Sequence, residues 1–421
     1  TGLSNRFHFE EVLRVMTASS RRAGDSVALL ALDLDNFKHV NDTLGHAVGD
    51  LVLQEVVRRI AACLRSNEGF ARLGGDEFAV ILGGIHSPAE VSAIANRIVE
   101  QFQGPLLIGG TEVFCGLSVG VALFPADADE PHELLKCADI AMYRAKQGEH
   151  SKICFYEDRY QAEFKRRATI KNEMNRFLKD SQFRLFYQPI VEAGSARIVG
   201  VEALVRWPDR SPVYYPDEFI PIAEESRLID PLGRWIARTA VQQLASWHQS
   251  GFPSLYMSLN ISPVQLLGGE FTEFLIRELG ESAVETSAVT LEVTETTLFK
   301  DDNKIQSELT TLSNNGFGVA LDDFGMGFSS IAHLMRHPVN AVKLDRSMQM
   351  DVFSDHRRRQ MLEGLTLMLQ KLDFQIVAEG VEFEEQRALC EVLGIHRLQG
   401  YLFGKPMSAD EMTARLRRAM P

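Results

Sequence analysis

The chain has 421 residues, 45% of them apolar and 24% charged, a balance that excludes a disordered, collagen-like or coiled-coil protein. Its length gives room for roughly two to four domains. Forty-four basic against fifty-seven acidic side chains leave a net charge of −13, which counts against non-specific nucleic-acid binding but leaves open a phosphorylated ligand held through a metal ion.

Residues 1–155 alternate helical and strand patterns, beginning with a helix over about 6–20. The run Val27-Ala28-Leu29-Leu30-Ala31-Leu32 has the length of a buried strand. An amphipathic helix follows near 49–65, with Leu51, Val52, Val56, Ile60 and Leu64 on one face. Two apolar runs flank Gly74-Gly75-Asp76-Glu77 and read as a β-hairpin. A helix (88–103), a strand pair (106–123) and a helix (131–147) complete a mostly antiparallel sheet with helices on its faces. The stretch 156–175 is charged and reads as a linker helix. Residues 176–421 then repeat short buried strands with helices between them: 184–190, 198–205, 255–260, 289–294, 318–322, 340–344, 375–379 and 396–399. Eight such units in about 240 residues match a (β/α)₈ barrel, with a doubly wound open sheet as the competitor.

Barrel chemistry sits at strand ends. Glu202, Asn260, Glu292, Asp322-Asp323, Lys343, Glu379 and Gln399 stand at successive ends, with Arg206, Glu295, Asp345 and Glu382 just beyond. A lone acid there usually caps the next helix. Several at one mouth repel each other unless neutralised, and hard divalent cations with oxygen ligands, Mg²⁺ or Mn²⁺, relieve that cost. Two cations held together are the recurring device of phosphodiester hydrolysis.

Glu202-Ala203-Leu204-Val205-Arg206 resembles the signature of the EAL family of cyclic di-GMP phosphodiesterases. Gln188-Pro189, Asn260-Ile261-Ser262, Glu292-Val293-Thr294-Glu295, Asp322-Asp323-Phe324-Gly325, Lys343-Leu344-Asp345, Glu379-Gly380-Val381-Glu382 and Gln399-Gly400-Tyr401 match its other motifs in order. The resemblance implies a TIM-like barrel that hydrolyses cyclic di-GMP to the linear dinucleotide pGpG. It implies two Mg²⁺ or Mn²⁺ ions on Glu202, Asn260, Glu292, Asp322, Asp323 and Glu379. Lys343 would position or deprotonate the attacking water, Gln188, Leu204, Arg206, Glu382 and Gln399 would contact the dinucleotide, and Glu295 would hold the loop 323–330. In that loop Met326 and Phe328 stand where Thr and Tyr are common.

In the first half, Asp33 ends a buried strand and Asp76 lies in the Gly-Gly turn. Paired acids on adjacent strands are how polymerase-like palms hold metal against a triphosphate, although Gly-Gly-Asp is also common turn chemistry. Arg72-Leu73-Gly74-Gly75-Asp76-Glu77-Phe78 resembles the GGDEF signature of diguanylate cyclases. Its companions are Asp33-Leu34-Asp35-Asn36-Phe37-Lys38, Asn41-Asp42-Thr43-Leu44-Gly45-His46 and Gly49-Asp50. The resemblance implies one GTP per domain with one or two metal ions on Asp33 and Asp76, and Glu77 assisting the 3′-hydroxyl. Asn41 and Asp50 would read guanine; Asn36, Phe37, Lys38, Gly74, Gly75 and Lys146 would surround the phosphates. Synthesis of cyclic di-GMP would need two such domains face to face in a homodimer. The family's Gly-Arg after the phosphate lysine is replaced here, where Gln147-Gly148-Glu149-His150 follows Lys146. Its Arg-x-x-Asp inhibition motif reads Arg65-Ser66-Asn67-Glu68. The alternatives to a phosphodiesterase are a cyclic di-GMP receptor without turnover and a net cyclase.

Cys63, Cys115, Cys137, Cys154 and Cys390 are scattered without a CxxC pair, so neither a disulfide framework nor a zinc site is expected and the cytoplasm is the expected compartment. No stretch approaches the ~18–20 apolar residues of a membrane span, and no signal peptide is evident. The start at Thr1 reads as a fragment, with an upstream sensor or membrane anchor expected before it. His333 and His337 lack the Glu of a zinc helix, Gly325-Met326-Gly327 lacks the third glycine of a dinucleotide loop, and Arg357-Arg358-Arg359 reads as a solvated face.

Overall fold

The run Ser26–Leu34 is buried along almost its whole length, as a strand covered on both faces must be, and it forms β1 at the centre of a five-stranded sheet. In the computed structural model this sheet has the order β2-β3-β1-β6-β7, with β2 Gly69–Gly74, β3 Glu77–Ile85, β6 Leu117–Phe124 and β7 Ile153–Phe155. All pairings are antiparallel except β6 with β7. One core lies on each face. The residues described are 1–65, 68–148, 152–179, 182–207, 213–298, 303–325 and 334–418.

Two expectations need correction in this unit, and one strand is additional. The strand pair expected over 106–123 is divided: β4 Leu106–Ile108 and β5 Thr111–Val113 form a separate two-stranded hairpin, and only the longer apolar run reaches the main sheet as β6. The helix expected near 49–65 spans His46–Ala62 and is preceded by another, Phe37–Leu44, broken from it at Gly45 with φ 84°. Strand β7 was not anticipated; three residues carry too little periodicity to register.

The chain divides into two compact units, Thr1–Ala168 and Thr169–Pro421, and the helix Asp158–Lys179 runs through the division. The second unit is a closed barrel of eight strands: β8 Arg184–Glu192, β9 Ile198–Arg206, β10 Tyr256–Asn260, β11 Val289–Thr294, β12 Gly318–Phe324, β13 Ala341–Leu344, β14 Gln375–Ala378 and β15 Arg397–Gln399. Closure rules out the open sheet. One departure from the expected repeat is the first connection. Only Ala193 to Arg197 separate β8 from β9, too few for a crossover helix, so they form a hairpin and β8 runs antiparallel to both neighbours. The reversal still sets Gln188 opposite Glu202 in register.

No helix among the described residues is long and apolar enough to cross a membrane.

Candidate functional site

Glu202 lies within β9 rather than at its end, level with Gln188 of β8 and Ser258 of β10. Asn260 of β10 is level with Glu292 of β11, and Thr294 with Asp322 of β12. These cross-strand steps carry the acids round the barrel, and all meet one cation. The Lys343 ammonium, 2% exposed, lies 2.7 Å from Glu379, 2.8 Å from Glu292, 3.2 Å from Asp322 and 3.5 Å from Glu202. The Asn260 amide donates to one Glu202 oxygen at 2.8 Å and the Gln399 amide to the other at 2.6 Å. Glu292 accepts from Ser258 at 2.5 Å as well as from Lys343. The buried Gln349 amide holds the backbone carbonyl of Glu379 at 2.6 Å.

Burial is the largest influence on Glu202, Glu292, Asp323, Lys343 and Glu379. It pushes Glu292 well above the carboxylate range, reinforced by Glu202 and opposed by Lys343. It pushes Glu379 up to about 7, opposed by Lys343 and reinforced by Asp322 and Glu202. Asp323 is also raised, by burial and then by Asp322. On Glu202 the burial effect is outweighed by Lys343 and the two amides, and its carboxyl is lowered. Burial opposes the Lys343 charge, but the four surrounding acids together hold that group well above its usual value.

The donor set fits a hard divalent cation. Oxygens of Asp322, Asp323 and Glu379 lie within 4.8 Å of one another. Buried Asp322 Oδ1 has no hydrogen bond among the described residues and lies 3.2 Å from the Lys343 ammonium. Asp323 reaches this position through a left-handed backbone, φ 54°, a conformation that Asp tolerates better than most residues.

A cavity of about 280 Å³ opens beside the acids, lined by Gln188, Glu202, Leu204, Glu379, Glu382 and Gln399 among the anticipated residues. Tyr401 of the Gln399-Gly400-Tyr401 motif and Arg346, which the sequence did not single out, also line it, and Arg346 pairs with Glu382 at 2.9 Å. Arg206 is half-buried and donates to its own neighbour's carbonyl, Val205, at 2.9 Å. Glu295 is 6% exposed, with Oε2 unbonded among the described residues. Residues 326–330 of its expected loop, Met326, Gly327 and Phe328 among them, and His333 lie outside the described residues, as do Ser66, Asn67, Glu149 and His150.

In the first unit Asp33 pairs in register with Glu77, and the Leu34 amide donates to the Asp76 carbonyl. Lys146, expected at the phosphates, forms an ion pair with Asp33 at 2.5 Å. Burial raises Asp33 to about 6; Lys146 opposes that rise, while Asp76 and Glu77 add to it. The turn needs Gly75, at φ 51°, and the Arg72 guanidinium clamps the Gly75 carbonyl at 2.7 and 2.9 Å. Asn36 is left-handed and caps the helix carrying exposed Lys38 and buried Phe37. Asn41 lies against Gly49, where any Cβ would strike its side chain; Asp50 next to it is exposed. Sequence reasoning overlooked Lys152, which pairs with Asp35 at 2.9 Å, and Arg6, 3.9 Å from Glu77.

Comparison with known proteins agrees with both halves. The family described as the EAL domain matches residues 171–406, and that described as the diguanylate cyclase GGDEF domain matches residues 1–152. The chain is 35% identical over 415 residues to the bifunctional diguanylate cyclase/cyclic di-GMP phosphodiesterase MucR of Pseudomonas aeruginosa, covering 98% of this chain and 60% of that protein. It is 36% identical over 412 residues to the cyclic di-GMP phosphodiesterase PdeR of Escherichia coli, covering 97% and 61%. It thus spans about three fifths of the length of these two relatives. Among solved structures, the MucR phosphodiesterase in complex with cyclic di-GMP matches 58% of this chain and 99% of its own, at 33% identity and a TM-score of 0.55.

Proposed function

The chain belongs to the family of tandem GGDEF–EAL proteins, and from that premise we propose that its barrel hydrolyses cyclic di-GMP to pGpG with Mg²⁺ or Mn²⁺. The observation that carries this reading is the ring of carboxylates around Lys343, too crowded to stay ionised on one ammonium alone. Glu202, Asn260, Glu292, Asp322, Asp323 and Glu379 would hold two cations. Bound there, the ions would supply charge neutralisation at phosphorus and an acidified water. The remaining work falls to the chain. Lys343 Nζ stands among the acids, where as an ammonium it can orient the attacking water; it can take the water's proton only once bound cations offset the acids that hold it charged. Gln188, Leu204, Glu382 and Gln399 line the cavity that would take the dinucleotide, with Arg206 at the end of β9.

For the first unit we propose binding of one GTP with Mg²⁺ or Mn²⁺ at Asp33 and Asp76. The nucleotide would be surrounded by Asn36, Phe37, Lys38, Asn41, Asp50, Gly74, Gly75 and Lys146, the last leaving Asp33 to meet the phosphates. Glu77 would assist the 3′-hydroxyl in a homodimer. The test is an assay of the whole chain with cyclic di-GMP and Mg²⁺, with and without EDTA and GTP. Chelator-sensitive release of pGpG is expected; binding without turnover would make the protein a receptor. Stimulation by GTP would show the first unit regulating the second, whereas cyclic di-GMP made from GTP would show synthesis.

The raised acids also predict how stability responds to pH. Glu379 rises from 4.5 to about 7 on folding, so its contribution is fully present below about pH 4.5 and is lost as pH rises towards 7. Glu292 and Asp323 act in the same direction, while Glu202, lowered, acts in the opposite one. Cations replace the lost protons. Thermal melts should therefore show a larger stabilisation by Mg²⁺ at pH 8 than at pH 5.5, and an equal shift at both would contradict the assignment.

A further inference from the structure

We propose that Ser258 is a positioning residue for the cation site, fixing Glu292 so that one of its two oxygens stays turned to the barrel axis. This rests on the metal-dependent reading above. Ser258 is 1% exposed and belongs to none of the motifs that marked the site. Its hydroxyl donates to Glu292 Oε1 at 2.5 Å, and when Glu292 is ionised to hold a cation it has no proton of its own to give, so the hydroxyl stays the donor.

The strand register explains why a serine there reaches this acid. Ser258 is level with Glu202 on β9 and with Thr290 on β11, so its bond to Glu292 runs diagonally forward. Asn260, two residues on and on the same face, is level with Glu292 but donates diagonally back to Glu202. One strand thus restrains both acids beside it, each by a single side-chain donor.

The two partners of Glu292 differ in kind. Lys343 is shared among four acids, so its 2.8 Å contact with Glu292 Oε2 can be given up when a cation arrives. Ser258 makes no other side-chain bond among those described and holds Oε1 whether or not Lys343 stays. Without it the carboxylate can turn, and a turned ligand must be reordered each time an ion binds. Hydrogen-bond partners of metal ligands are worth roughly 10–100-fold in metal affinity.

The test is Mn²⁺ titration calorimetry on the whole chain, wild type against Ser258→Ala and Ser258→Thr, with the Mn²⁺ dependence of cyclic di-GMP hydrolysis alongside. Ser258→Ala is expected to bind Mn²⁺ at least roughly tenfold more weakly, with activity lost at limiting Mn²⁺ returning as Mn²⁺ is raised. Ser258→Thr, which keeps the hydroxyl, should restore the affinity. Ser258→Gly adds no bulk and should show the same loss as Ser258→Ala, which guards against misfolding by the threonine. Ser258→Ala binding within about twofold of wild type would overturn the proposal. Hydrolysis by the wild type together with that result would sink the role of Ser258 alone. A wild type that binds Mn²⁺ but does not hydrolyse would sink the phosphodiesterase reading and leave the Ser258 comparison standing. A wild type that binds no Mn²⁺ would overturn both.

Discussion

Glu202→Ala is expected to lower metal-dependent hydrolysis of cyclic di-GMP by on the order of 10³-fold, because a ligand contributing several kcal/mol of charge stabilisation disappears from the centre of the site. Glu202 is tied from both sides, by Asn260 at 2.8 Å and Gln399 at 2.6 Å, and stands level with Ser258 of β10. The barrel should still fold, since alanine is accepted in a strand interior and one charge has left a crowded cluster. Steady-state assays over a range of Mn²⁺, with circular dichroism as the control for folding, decide the matter. Turnover near the wild-type rate would remove Glu202 from the mechanism.

Lys343→Met should have the largest effect on stability. Methionine matches the length of the lysine stem but leaves the acids without their shared counter-ion, and breaking a buried ion pair costs about 3–5 kcal/mol. Two conditions should recover part of the loss: acid, which protonates Glu292 and Glu379, and Mn²⁺, which takes over the neutralisation. The measurement is denaturant unfolding in EDTA at pH 7.5 and pH 5, then at pH 7.5 with Mn²⁺. Unchanged stability in EDTA at pH 7.5 would mean that the acids are already protonated and that Lys343 does not hold the cluster together. Hydrolysis by Lys343→Met should fall in every condition, because the added ions replace its charge but not the role proposed for it at the attacking water.

Much of this site could be read from the chain because its acids stand in short motifs on strongly apolar runs. Glu292 follows Val289-Thr290-Leu291, and Lys343 follows Ala341-Val342, so their strands were recognisable and their faces followed from alternation. Other parts could not be read. Ser258 was passed over because a serine two residues before Asn260 has no signal of its own; it matters only because β10 lies between β9 and β11. Arg346 and Gln349 fall in a short 3₁₀ turn with little periodicity, yet one lines the cavity and the other holds the Glu379 carbonyl. In the first unit the acids Asp33 and Asp76 were legible from motif spacing. The Lys146 and Lys152 pairings were not, since each brings together residues more than a hundred positions apart.

The sequence by itself determined the two-part organisation, the strand runs of the barrel and the identity of its acids, because each depends on composition and period within a few turns of chain. Only the tertiary structure decided that β8 runs backwards, that four of the acids converge on one ammonium, and which amide or hydroxyl holds which oxygen. The physical reason is range. Apolar periodicity acts between neighbours in sequence, whereas the balance of burial against charge that sets this site is fixed by closure of the barrel, which joins residues up to about two hundred positions apart.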